Sequence, residues 1–226
     1  MTPTVRKWGE RAAKAAASIL AAAYNGLEEK HKEVKDELRA WSLDRLKTAL
    51  RLDSESPIAR EERSIIARQN NLSQVSLYLG VPRHSPGAPR PSLIVESDFG
   101  GDVRKLEQLS ATQFRAVVEF PHSLNEGDTW DFGITVKIPQ GQAMYPRYVF
   151  RPTQPVKEFD LRVRFPADNL PSSVWRIDRQ FIGVVYDNEF DKTSTVVVPD
   201  NLGEVHEFFP DILLGMCYGL QWEGSM

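Results

Sequence analysis

The sequence predicts a segregated α+β protein: an amino-terminal α-helical region followed by an all-β antiparallel sandwich, Ig-like and of about nine strands. Three observations point there. Apolar residues return every three or four positions up to about residue 80, a helical period, and at every second position beyond about residue 112, a strand period. Between them lies Pro82–Pro91, where Pro82, Pro86, Pro89 and Pro91 fix φ, remove donors and push their predecessors toward extended geometry. The expected organisation is a helical arm or hairpin over 1–81, a semi-rigid Pro-rich linker over 82–91, and a sandwich over 92–226.

In the arm, Ala12, Ala16, Leu20, Ala23 and Leu27 make one stripe, and Val34, Leu38, Trp41, Leu46 and Leu50 continue it. Asn25-Gly26 is the break, since glycine costs about 1 kcal/mol inside a helix. Acidic and basic residues alternate from Glu28 to Arg39 as on a solvent-exposed helical face. Pro57 at an expected first helical position, with Glu61 and Glu62 in the first turn, predicts a helix to about Gln69. Leu72–Leu79 is expected as one more short helix, capped by Ser73 and stopped by Gly80. Helix, turn and helix over 59–80 make a divergent helix-turn-helix a candidate, although its second helix carries no Arg or Lys to meet phosphates and base edges.

In the β half, Phe159, Leu161, Val163 and Phe165 alternate with Asp160, Arg162 and Arg164, and Phe132, Ile134, Val136 and Ile138 do the same. Shorter runs at 114–120, 145–151, 174–177, 181–186, 193–198, 205–209 and 216–222 complete the expected strands. Turn material such as Asn125–Asp128, Pro139–Gln142 and Pro199–Gly203 separates them. With no helix of crossover length among them, all pairing is expected to be antiparallel.

Charge divides as the period does: residues 1–91 carry 16 Lys+Arg against 11 Asp+Glu, and residues 92–226 carry 12 against 20. A net +5 arm permits nucleic-acid contact without amounting to a nucleic-acid footprint. The single cysteine, Cys217, excludes an intramolecular disulfide and favours a cytoplasmic site. No apolar run approaches the ~20 residues needed to cross a bilayer, so no membrane partner is expected.

No constellation of residues demands catalysis. Asp187, Glu189 and Asp191 cluster, but Lys192 and Val198 stand where a calcium loop of the EF-hand kind needs glycine and glutamate. His206 and Cys217 are the only neighbouring base and thiol, and Cys217 sits in an apolar closing strand. His31, His84 and His122 are scattered without metal-ligand spacing, and there is no glycine-rich phosphate loop. No catalytic, cofactor or metal residue is therefore assigned.

The segments Met144–Phe150, Phe159–Phe165, Leu170-Pro171, Val174-Trp175 and Gly203–His206, closed by Tyr218-Gly219-Leu220-Gln221-Trp222, resemble the carboxy-terminal β domain of actinobacterial helix-turn-helix (XRE-like) regulators, over about residues 112–222. That resemblance implies a sensing or binding β domain behind an amino-terminal DNA-binding unit. Taken with the arm, it leads to the expectation of a non-enzymatic interaction or regulatory protein. The arm would mediate self-association or docking of a protein partner through Leu20, Leu27, Leu38 and Trp41, and the sandwich would bind a ligand or protein. The alternatives are a DNA-binding regulator using Arg60, Arg63 and Arg68, and an accessory or effector component of an enzyme.

Overall fold

A computed structural model describes residues 36–37, 39–81, 89–142, 144–189, 191–192 and 195–223. The chain divides into two units, Met1–Arg39 and Ala40–Met226. Of the first, residues 36, 37 and 39 are described and are helical. Leu20, Leu27, Leu38 and residues 82–88 of the Pro-rich segment lie outside the described residues.

The second unit overturns the segregated α+β expectation. Its described residues form thirteen strands and one short helix, and the stretch from residue 41 to residue 80, expected as helices, is three strands: β1 (Trp41–Arg51), β2 (Ile58–Ala67) and β3 (Leu72–Gly80). Each misled for a physical reason. In β1 a register shift between Leu43 and Arg45 puts Leu43 and Leu46 on the same buried face three residues apart, a helical step made by a β-bulge. A second shift between Leu72 and Gln74 does the same for Leu72 and Val75 in β3. In β2 the inward positions are Ala59, Glu61, Arg63, Ile65 and Ala67, so two of five buried side chains are charged and the period of two is hidden from hydropathy.

The remaining strands are β4 (Ile94–Phe99), β5 (Asp102–Gln108), β6 (Gln113–Leu124), β7 (Thr129–Lys137), β8 (Arg147–Phe150), β9 (Val156–Arg164), β10 (Ser173–Gln180), β11 (Val196–Val197), β12 (Glu204–Pro210) and β13 (Cys217–Glu223). They form three sheets rather than an Ig-like pair: β12-β9-β1-β2-β7-β4, β11-β10-β13-β8, and β3-β6-β5. Strands from before the prolines hydrogen-bond with strands from beyond them, β2 with β7 and β3 with β6. One pair is parallel, β1 with β9 from Leu43↔Val156 to Arg51↔Arg164, correcting the all-antiparallel expectation. The run 181–186, expected as a strand, is α1 (Ile182–Tyr186), which buries only Val185.

The chain passes between the six- and three-stranded sheets at tight corners. At one, Gly100 has φ +71° and a Cβ there would lie 2.2 Å from the Asp131 carbonyl oxygen, so only glycine lets β4 turn into β5. One apolar core joins all three sheets, drawing Leu46, Ile65, Phe132 and Phe159 from the first, Leu77, Ala116 and Val118 from the three-stranded sheet, and Tyr218, Leu220 and Trp222 from the four-stranded sheet. Aromatic packing fastens the four-stranded sheet to the six-stranded one. Phe150 lies 5.0 Å from Phe159 and Tyr218 lies 5.7 Å from Phe209 between ring centres, and such pairs add about 0.5–1.5 kcal/mol each beyond burial.

Candidate functional site

Within the Ala40–Met226 unit a cavity of ≈ 530 Å³ runs between the three sheets. Leu43, Leu50 and Ala59 wall it from the six-stranded sheet, Leu77 and Leu79 from the three-stranded sheet, and Tyr148 and Phe150 from the four-stranded sheet. Against this apolar lining stand Glu61 and Arg63, both on the inward face of β2 because residues two apart in a strand share a face. They are 4% and 8% exposed.

The two charges are paired: Arg63 Nη2 donates to Glu61 Oε2. Tyr148 reaches across from β8 and donates its hydroxyl to Glu61 Oε1 at 2.7 Å. Thr48, directly opposite Glu61 on β1, lies 3.3 Å from the same phenol oxygen. With the Tyr148 proton committed to Glu61, Thr48 is the donor in that contact. Burial, and then the negative charge of Glu61, raise the Tyr148 phenol well above the ordinary tyrosine value. Tyr148 is a fixed hydrogen-bond donor at neutral pH.

Among the described residues three buried side-chain polar atoms have no hydrogen-bond partner: Arg63 Nε, Gln221 Oε1 and Trp222 Nε1. Of the three residues only Arg63 lines the cavity. Leaving a buried donor unmade costs about 1–3 kcal/mol, more for a charged group.

A second polar feature borders the cavity beside α1. The Arg147 guanidinium lies between the rings of Tyr145 and Tyr186, 4.2 and 4.3 Å from their centres, and its Nη1 donates to the Val185 carbonyl at 2.7 Å. Burial lowers the Arg147 pKa from the ordinary arginine value. Tyr186 is 51% exposed and lines the cavity, so the wall there is also surface.

Of the residues expected to contact partners, Trp41, Arg60, Arg63 and Arg68 are described, and they do not share one surface. Trp41 is buried in the core at 2% exposure and lines the cavity, so it presents no docking face. Arg60 is exposed on the outer face of β2, whereas Arg63 is buried on the inner one. Arg68 is exposed beyond the end of β2, its Nε donating to Ser42 Oγ at 2.9 Å. The helix-turn-helix expected over 59–80 is β2 and β3, and Trp41 begins a strand rather than lying within a helix. The expectation of a regulator working through a helical arm or a recognition helix is therefore withdrawn. Among the described residues no three His, Cys, Asp or Glu side chains converge as metal ligands, Asp187 and Glu189 included. Cys217 is buried, and burial pushes its thiol above the ordinary cysteine value. His206 is on the surface, its Nε2 3.1 Å from Asp160.

Glu61 and Tyr148 were not among the residues singled out for function, and Arg63 was singled out for DNA. The available signal was a charged pair two residues apart, bracketed at the same spacing by Ala59 and Ile65, which is the mark of charge on the core face of a strand.

No protein-family model and no curated protein matches the chain. Among solved structures, a two-domain M1 zinc metallopeptidase bound to L-tryptophan is similar at 15% identity and a TM-score of 0.43, over 81% of this chain and 43% of that one. The M1 zinc metallopeptidase from Deinococcus radiodurans is similar at 16% identity and a TM-score of 0.40, over 81% of this chain and 42% of that one. The chain thus spans less than half the length of either. No described helix is long and apolar enough to cross a membrane.

Proposed function

We propose that the Ala40–Met226 unit is a small-molecule-binding β domain whose site is the cavity between its three sheets. The ligand is an amphiphile that sets a polar group against Glu61, Arg63 and Tyr148 and lays its apolar part along Leu50, Leu77 and Phe150. The observation that carries this reading is the buried Glu61–Arg63 pair on the wall of that cavity. Apolar residues of similar volume in place of a buried ion pair are often neutral or stabilising, so stability does not account for the pair. A recognition role does. The cavity volume of ≈ 530 Å³ falls within the range of about 300–1,000 Å³ typical of small-molecule sites, which join apolar walls to a few placed polar groups.

Titration of the full chain with Nile red, a neutral apolar dye carrying a carbonyl acceptor, tests the reading. Saturable one-site fluorescence enhancement is expected in the native chain and its loss in Ala59→Phe, which fills the cavity from β2. Leu77→Trp fills it from β3 and serves if the first variant does not fold. Absence of saturable binding, or undiminished binding in a folded filled variant, contradicts the proposal.

A further inference from the structure

Resting on the cavity reading above, we infer that the site selects an uncharged ligand head, specifically an amide, and rejects carboxylate and ammonium heads on molecules of the same apolar shape. The site's own charge balance is the reason. Glu61 and Arg63 are each more than nine-tenths buried and neutralise one another. A carboxylate entering beside Arg63 would set two negative charges around one guanidinium in an apolar enclosure, and an ammonium beside Glu61 would do the converse. Either ligand leaves one buried charge unbalanced after giving up its own hydration, and that penalty is several kcal/mol before any relaxation.

The hydrogen bonding of the pair agrees with an amide. Glu61 receives Tyr148 on one oxygen and Arg63 on the other, and an ionised carboxylate offers about four lone-pair positions. Arg63 gives Glu61 a hydrogen bond from Nη2 and carries five N–H groups in all. Tyr148 does not compete for a ligand, because its proton is already committed to Glu61 and its oxygen faces Thr48. An ether or ketone brings an acceptor for the guanidinium alone. An amide brings that acceptor and an N–H for the carboxylate, without adding charge.

Displacement of Nile red from the full chain by octanamide, octanoate and octylammonium, which share one alkyl tail, tests this at neutral pH. Octanamide is expected to displace at a concentration roughly tenfold or more below either ion, since tenfold is the least that a charge imbalance worth about 1.4 kcal/mol produces. Glu61→Gln leaves Arg63 as an uncompensated cation, so in that variant the order is expected to invert, with octanoate ahead of octanamide. Equal displacement by octanamide and octanoate in the native chain, or no inversion in folded Glu61→Gln, overturns the head-group inference while leaving the cavity as a binding site. Failure of Nile red itself to bind overturns the cavity reading and this inference with it.

Discussion

A Cβ on Gly219 would lie 2.0 Å from the carbonyl oxygen of Tyr148, so the glycine of the closing Tyr-Gly-Leu-Gln-Trp strand is what allows β8 to lie against β13 with Tyr148 in place. Gly219 pairs with Val149, next in the chain to the tyrosine that supports Glu61. The φ of +153° at Gly219 adds a conformational reason for glycine. Gly219→Ala is therefore expected to destabilise the unit by about 3 kcal/mol through backbone overlap, read by urea unfolding. In whatever fraction folds, Nile red binding is expected to weaken because Tyr148 is displaced.

The buried pair makes a non-additive prediction. Glu61→Leu or Arg63→Met alone strands a charge in the core and is expected to cost about 3–5 kcal/mol. The double variant Glu61→Leu/Arg63→Met is expected to lie within about 1 kcal/mol of the native chain or above it in stability. Urea unfolding of all four proteins closes the cycle. Costs that simply add would show that the two side chains are not coupled.

Tyr148→Phe removes one donor from Glu61 and is expected to cost about 1–3 kcal/mol at neutral pH. It should also alter the alkaline limb of stability. Burial raises the folded Tyr148 value above its unfolded one, so the folded state holds that proton more tightly. The resulting stability is fully present below the unfolded tyrosine value and is lost as pH rises from there toward the folded value. Cys217, also raised by burial, loses stability in the same direction from its own lower starting value. Unfolding midpoints followed from pH 8 upward should fall less steeply in Tyr148→Phe than in the native chain, and an identical slope would contradict the assignment.

Arg147 ties α1 to β8 through the Tyr186 ring and the Val185 carbonyl, with the Tyr145 ring against the same guanidinium. Arg147→Ala is expected to speed hydrogen exchange at the amides of Val185, Asp187 and Glu189, which bond to Phe181, Gly183 and Val184. Arg147→Lys should not restore protection, since an ammonium is not a flat plate that two rings can face. Restoration by lysine would mean that charge alone holds the helix.

How much of this was legible in the sequence varied strand by strand. β9 announced itself because Phe159, Leu161 and Val163 occupy its inward positions without interruption. β1 and β3 did not, because a bulge in each turns a step of two into a step of three. β2 was hidden by the same residues that make the site, since Glu61 reads as part of the acidic first turn of a helix and Arg63 as a phosphate contact. β4 and β5 are mostly exposed strands and bury too little to leave an apolar signal. The parallel pairing of β1 with β9 joins segments more than 100 residues apart in the chain, beyond the reach of any local pattern. The cavity is a property of three sheets meeting, so no single segment could disclose it.

The most direct measurement follows the Arg63 Nε–Hε resonance in a full chain carrying ¹⁵N-labelled arginine, assigned by its loss in Arg63→Met. On addition of octanamide that resonance is expected to shift and saturate together with Nile red displacement, as the amide head settles against the Arg63 guanidinium. A saturating octanamide titration that leaves the Arg63 resonance unmoved would contradict the account, because the ligand would then be binding somewhere other than against the buried pair.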